Sequence, residues 1–206
     1  MIKTIEKAEI AEIEEKKSKF IAQIYPVQKE EQVKDILQKT KKNYKGARHH
    51  CFAYRILKEE QLIEKSSDDG EPAGTAGQPI LNHLKGAELQ NVLIIVTRFF
   101  GGILLGTGGL TKAYGDSTKK AVEKTKIVYQ DWGYVVEVEI TYANFPNLEY
   151  EAKKRKWNLQ NKTYLQNIKA ELEIPKKMWK DFTNLNSNKT IKLEKYNILE
   201  EKFIDI

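Results

Sequence analysis

DDGEPAGTAGQPILNHLKGAELQNVLIIVTRFFGGILLGTGGLTKAYG, residues 68–115, places glycine-rich segments on either side of one wholly apolar run. Val92 to Val96 shows no alternation of polar and apolar side chains, the pattern of a strand covered on both faces. Gly101-Gly102 and Gly106, Gly108 and Gly109 let the backbone turn sharply or approach another group closely. Binding or chemistry is therefore expected beside the end of that strand.

Upstream, Ile5 to Glu14 and Phe20 to Val27 read as two strands joined by the polar turn Glu15-Lys16-Lys17-Ser18. Val33, Ile36, Leu37 and Tyr44 then follow helical spacing. His50 to Leu57 is a third strand by its aromatic and β-branched content, and Gln61 to Glu64 is expected to pair with it across Lys58-Glu59-Glu60. The loop Ser66 to Gly77 leads into a short helix with Ile80, Leu81 and Leu84 facing inward and Gly86 near its stop. Beyond the apolar strand and the glycine loop, Leu110, Ala113, Tyr114, Ser117 and Ala121 fall along one helix face. Gly115 inside that helix costs ~1 kcal/mol relative to Ala, which points to close packing of the helix on the sheet.

Past Lys126 the pattern changes. Tyr134, Val136, Val138, Ile140 and Tyr142 alternate with Val135, Glu137, Glu139 and Thr141, as in a half-exposed strand. A helix from about Pro146 to Lys156 follows, then a hairpin of Leu159–Leu165 and Ile168–Ile174. A helix bearing Met178, Trp179, Phe182 and Leu185 and a final strand from Ile191 complete the order βαββαβ, that of a ferredoxin-like sandwich. The chain is thus read as α+β with two domains, 1–127 and 128–206.

The 206 residues, 40% of them hydrophobic, suffice for real cores. No apolar stretch approaches the ~20 residues that span a bilayer, and MIKTIEKAEIAEIEE alternates charge with Ile where a signal segment is continuously apolar. A soluble cytoplasmic protein with no membrane partner is expected. Cys51 stands alone, which excludes an intramolecular disulfide and a cysteine-based zinc cluster; it reads as a small packed strand residue. His50 beside it points to the opposite face, against a Cys–His dyad. The net charge is +6, with +5 in residues 1–127 and +1 in 128–206. Lys39, Lys41, Lys42, Lys45 and Arg48 form the densest basic segment, suited either to phosphates of RNA or a small ligand or to a solvated helix face.

Two groups of residues are candidates for the site. Gly106-Thr107-Gly108-Gly109 opens a helix, where backbone N–H groups and the helix dipole converge on an anion. Arg98 and Lys112 supply charge to it, Thr107 or Thr111 a hydroxyl. Neither the GxGxxG nor the P-loop spacing is met, and a tight turn with close packing explains the same glycines. Phe99 and Phe100 divide between core packing and a stacking platform for bases. Asp68, Asp69 and Glu71 form an acidic loop able to hold a hydrated cation or to act as a general base, with His49 or His50 joining it if the fold brings them together; an ordinary surface turn is the alternative. No motif calls for a cofactor.

Asp-Gly-Glu-Pro-Ala-Gly-Thr-Ala-Gly-Gln-Pro-Ile-Leu (69–81), Arg-Phe-Phe-Gly-Gly-Ile-Leu-Leu-Gly-Thr-Gly-Gly-Leu (98–110), Ala47–Tyr54 and Ser18–Ala22 together resemble the IMPACT/YigZ family over most of residues 1–127. The resemblance implies a βαβ-rich first domain shared with a small-subunit ribosomal protein of S-five type, elongation factor G and small-molecule kinases. It also implies a ferredoxin-like second domain similar to elongation factor G domain V. Eukaryotic relatives act in translational control, whereas bacterial members have no established reaction. Three readings follow. The first is a non-catalytic, translation-linked binding protein that engages RNA, the ribosome or a translation factor through Arg98, the glycine loop and the basic segment around Lys42 and Arg48. The second is an enzyme on a small phosphorylated or nucleotide substrate, with Asp69 or Glu71 as base or metal ligand. The third makes the second domain's open sheet face a protein-docking surface. The sequence fixes no oligomeric state.

Overall fold

The computed structural model describes residues 1–58 and 61–206. The chain divides into two compact units, residues 2–128 and residues 129–206 with Met1.

The first unit runs β1 (Ile2–Ile5), β2 (Glu9–Glu15), β3 (Ser18–Pro26), α1 (Glu30–Asn43), β4 (His49–Lys58), β5 (Gln61–Ser67), α2 (Gly77–Gly86), β6 (Val92–Phe99) and α3 (Gly106–Glu123). Its sheet has the order β2-β3-β6-β4-β5, with each neighbouring pair antiparallel. The apolar run is the central strand, and its lack of alternation has a direct cause. Val92, Ile94 and Val96 join Ile80 and Leu84 of α2 and Leu110, Ala113 and Tyr114 of α3 in one core, while Leu93 and Ile95 join Val33, Tyr54 and Ile56 in another on the α1 side. Helices thus cover both faces, and each apolar side chain buried there is worth about 1.5–3 kcal/mol.

Three expectations need correction. Ile5 to Glu14 is not one strand: β1 lies beside Leu89, with Gln90 N–H donating to the Lys3 carbonyl at 2.8 Å, and β2 pairs with β3 after a break at residues 6–8. Apolar residues recur on both sides of the break, so hydrophobicity alone did not mark it. The loop from Ser66 is shorter than expected because β5 continues to Ser67. Gly115 faces α2, where a Cβ would stand 3.0 Å from His83 Nε2, so the close approach is helix to helix and not helix to sheet. Glu59 and Glu60 of the expected β4–β5 turn lie outside the described residues.

In the second unit β7 (Ile127–Ile140), α4 (Phe145–Arg155), β8 (Asn158–Tyr164), β9 (Ile168–Pro175), a 3-10 turn (Lys176–Met178), α5 (Trp179–Ser187) and β10 (Leu193–Asp205) follow the order βαββαβ. Antiparallel pairing gives the strand order β8-β9-β7-β10. Val136, Val138 and Ile140 of β7 meet Leu148, Ala152 and Phe182 of the helices, so one face of the sheet is covered. The other carries Glu137 and Glu139 opposite Glu171 and Lys169. Among the described residues no helix is long and apolar enough to cross a membrane.

Candidate functional site

At one end of the first sheet, pairing sets His49 opposite Arg98 and His50 opposite Thr97, while β3 brings Phe20 opposite Arg98 and Lys19 opposite Phe99. The loop after β5 folds over this end because its acidic side chains find fixed partners there. Asp68 accepts the backbone N–H groups of Gly74, Ala76 and Gly77 at 2.9, 3.0 and 2.8 Å. Burial alone would raise its pKa, yet these three donors hold it below the ordinary value. Asp69 accepts the His50 N–H at 2.8 Å and pairs with Lys41 at 3.1 Å, and its carbonyl meets His49 Nδ1 at 2.9 Å. Gly77 closes the loop against Ser67, where a Cβ would stand 2.7 Å from the backbone nitrogen.

Glu71 reaches deepest. Its Oε1 accepts from Arg98 Nη1 at 2.7 Å and from the Tyr114 hydroxyl at 2.8 Å, all three side chains being buried. The Arg98 guanidinium also lies 5.5 Å from the ring centres of both Phe20 and Phe100. Cys51 donates toward the Asp68 carbonyl at 2.9 Å and lies 3.3 Å from the Tyr114 hydroxyl. Burial pushes its thiol up to about 12, and burial likewise raises the Tyr114 phenol. His50, whose Nδ1 is 3.0 Å from Thr97 Oγ1, has its pKa lowered by burial.

This geometry revises several sequence assignments. Arg98 is no free anion ligand, because its charge is matched by Glu71 inside the fold. Asp69, Glu71 and His50 each make hydrogen bonds within the fold. Asp68, Asp69 and Glu71 turn toward three different sets of partners, and no group of three or more metal-ligating side chains assembles among the described residues. Tyr114, read from sequence only as a helix-face residue, is the hub of the cluster. A buried tyrosine hydroxyl needs a partner, and that requirement was the available signal.

Gly106 to Gly109 form the first turn of α3, and no side chain caps that end. Gly106, Thr107, Gly108, Thr111 and Lys112 are exposed. The glycines have different reasons. Gly106 has a φ of +74°, and a Cβ on Gly109 would stand 3.0 Å from Leu105 Cβ, whereas a Cβ on Gly108 would meet nothing within 4 Å. The fold therefore does not require glycine at 108. Lys42 and Arg48 are exposed as well, but α1 packs on the sheet face opposite α3, so Lys42 and Lys112 belong to different layers. Phe99 is half-buried and Phe100 exposed, its ring against Arg98. A separate open cavity of about 510 Å³ lies between α2 and α3, lined by Asn82, His83, Gly86, Ala87, Lys119, Val122 and Glu123.

The family model described as the Impact N-terminal domain matches residues 16–122. The IMPACT family member YvyE of Bacillus subtilis (strain 168) is 35% identical over 174 residues, 84% of this chain and 80% of that protein. Protein IMPACT of Oryctolagus cuniculus is 42% identical over 98 residues, 46% of this chain and 30% of that protein. Among solved structures, a crystal structure described as that of a hypothetical protein superposes with a TM-score of 0.66 at 28% identity, covering 98% of both chains.

Proposed function

The chain belongs to the IMPACT family, and from that premise we propose that it is a non-catalytic, translation-linked binding protein of the cytoplasm, whose first domain engages RNA, the ribosome or a translation factor. The observation that carries this reading is the exposed, uncapped first turn of α3, with a glycine at 108 that nothing in the fold calls for. A helix start of this kind offers unsatisfied N–H groups and the positive end of the dipole to an anionic partner. Glycine at 108 lets that partner's backbone come close. Thr107 and Lys112 add a hydroxyl and a charge on the same helix end, and Lys42 and Arg48 extend the basic surface on another layer. The implied kinship of the first domain with a small-subunit ribosomal protein, and of the second with elongation factor G domain V, belongs to this proposal. So does the treatment of 1–127 and 128–206 as separate functional domains.

The enzymatic reading, in which the glycine turn cradles a phosphorylated substrate, has less support, because the carboxylates of Asp69 and Glu71 already accept hydrogen bonds within the fold. The test of the binding reading is cosedimentation of the full chain with ribosomes and ribosomal subunits across a salt series. Retention that falls steeply with salt supports it. Absence from every ribosomal and RNA fraction at low salt removes it.

A further inference from the structure

Between β6 and α3 the chain exposes three large apolar side chains in five residues: Phe100 is 48% exposed, Ile103 43% and Leu104 82%. The family match and the anion-binding reading leave them unused. Free, flexible apolar residues would be unremarked surface, but this loop is braced at both ends. A Cβ on Gly101 would stand 2.0 Å from the carbonyl carbon of Lys17, so the loop lies directly on the β2–β3 turn, and Gly101 N–H donates to Ser18 Oγ at 3.1 Å. At the far end Leu105 is buried in the core with Leu110. Gly102, with a φ of +84°, turns the chain so that Ile103 and Leu104 project between the two anchors.

The turn against which this prong packs is positively charged at its two central residues. Lys16 and Lys17 occupy the β2–β3 turn with φ values of +45° and +63°, a left-handed pair of positions at which glycine or asparagine is the usual choice. Both are exposed, and neither makes an ion pair among the described residues; Lys19 pairs with Glu12 at 2.7 Å. Glu14 and Glu15, in the strand that leads into the turn, make no ion pair among the described residues either, so the positive charge is confined to the turn itself, where Lys17 lies against Gly101. The open start of α3 follows the prong directly and adds the dipole's positive end.

Resting on the reading of this helix end as a partner-binding site, we infer that the Phe100-Ile103-Leu104 loop is a rigid apolar anchor for a protein partner, one whose apolar pocket is rimmed by aspartate and glutamate side chains. A convex, preorganised apolar tip fills a pocket with little ordering cost. RNA is disfavoured as its occupant. Ile103 and Leu104 have no π face for a base, and the Phe100 ring already has the Arg98 guanidinium beside it. A lipid surface gains nothing from the bracing that Gly101 provides.

Site-specific photo-crosslinking of the full chain in living cells tests this, with benzoylphenylalanine replacing Leu104, with Thr107 as the site for the wider binding reading, and with exposed Ile10 as the control position. The expected result is a protein adduct at Leu104 whose crosslinked peptide, identified by mass spectrometry, lies in an apolar site flanked by acidic residues. Lys16→Glu with Lys17→Glu should reduce it roughly tenfold while leaving the melting curve unchanged. An adduct only with RNA at Leu104 and Thr107 overturns the inference and leaves the translation-linked reading standing. An adduct only with lipid overturns it too. No adduct at either position above the Ile10 level, with no ribosomal retention, overturns both.

Discussion

Arg98 at the end of β6 and Glu71 in the preceding loop, 27 positions apart, meet at 2.7 Å with side chains only 7% and 3% exposed. The pair ties the 68–76 loop to the sheet, and the Tyr114 hydroxyl on the same carboxylate oxygen ties both to α3. Removing one partner leaves a buried charge uncompensated. Glu71→Ala is expected to lower unfolding stability in urea by about 3–5 kcal/mol, and Glu71→Met with Arg98→Met to recover much of that loss. Equal loss in the single and double variants would show that the ion pair is not the cause.

Cys51 is expected to be inert in the native protein. With its thiol pushed up to about 12, the thiolate that reacts with iodoacetamide is scarce at pH 8, and alkylation should proceed only at the rate of unfolding. The sign of the linkage is fixed by the same shift. The unfolded thiol gives up its proton near 9.0 while the folded one keeps it, so this contribution is complete below pH 9.0 and is lost as pH rises toward about 12. Cys51→Ala should flatten that alkaline limb in a melting series.

His50 acts in the opposite window. Burial lowers its pKa, so below its ordinary value of 6.5 the unfolded chain binds a proton that the folded chain refuses, and stability falls with pH. Asp68, also lowered, contributes stability that is present above 3.8 and lost as pH falls below it. Melting temperatures should fall as pH is lowered from 7 through 6 to 5 for the native chain and stay level for His50→Gln over this range. An unchanged slope in the variant would assign the effect to another group.

The glycines separate into those the fold requires and two, Gly86 and Gly108, that it does not. Gly101→Ala forces a Cβ into the Lys17 backbone and is expected to cost at least ~2 kcal/mol. Gly108→Ala meets open space and should raise stability by up to ~1 kcal/mol. If Gly108→Ala stabilises the chain yet weakens retention on ribosomes, glycine there serves the partner; unchanged retention would deny it that role.

Much of the fold was legible because its signals are local. The unbroken apolar run of β6 announced cover on both faces, and the alternation in β7 announced a sheet open on one. The βαββαβ order of the second unit could be read from periodicity alone. The site was harder. Arg98 and Glu71 look like ligand-binding residues in sequence and Tyr114 like a helix-face residue, and only the folded loop and helix show that they satisfy one another. The Lys16-Lys17 turn read as plain polar punctuation, since nothing in its sequence tells of left-handed backbone or of Gly101 pressed against it. Long-range partners and close backbone approaches leave no periodic trace.

The central claim is that the open start of α3 receives an anionic, translation-linked partner, and placing negative charge there is its most direct test. Ribosome cosedimentation of Thr107→Asp and Lys112→Glu variants at about 50 mM salt, where electrostatic contacts are strongest, should show retention reduced roughly tenfold from that of the native chain. Retention equal to the native chain's in both variants, with folding intact, would contradict the account.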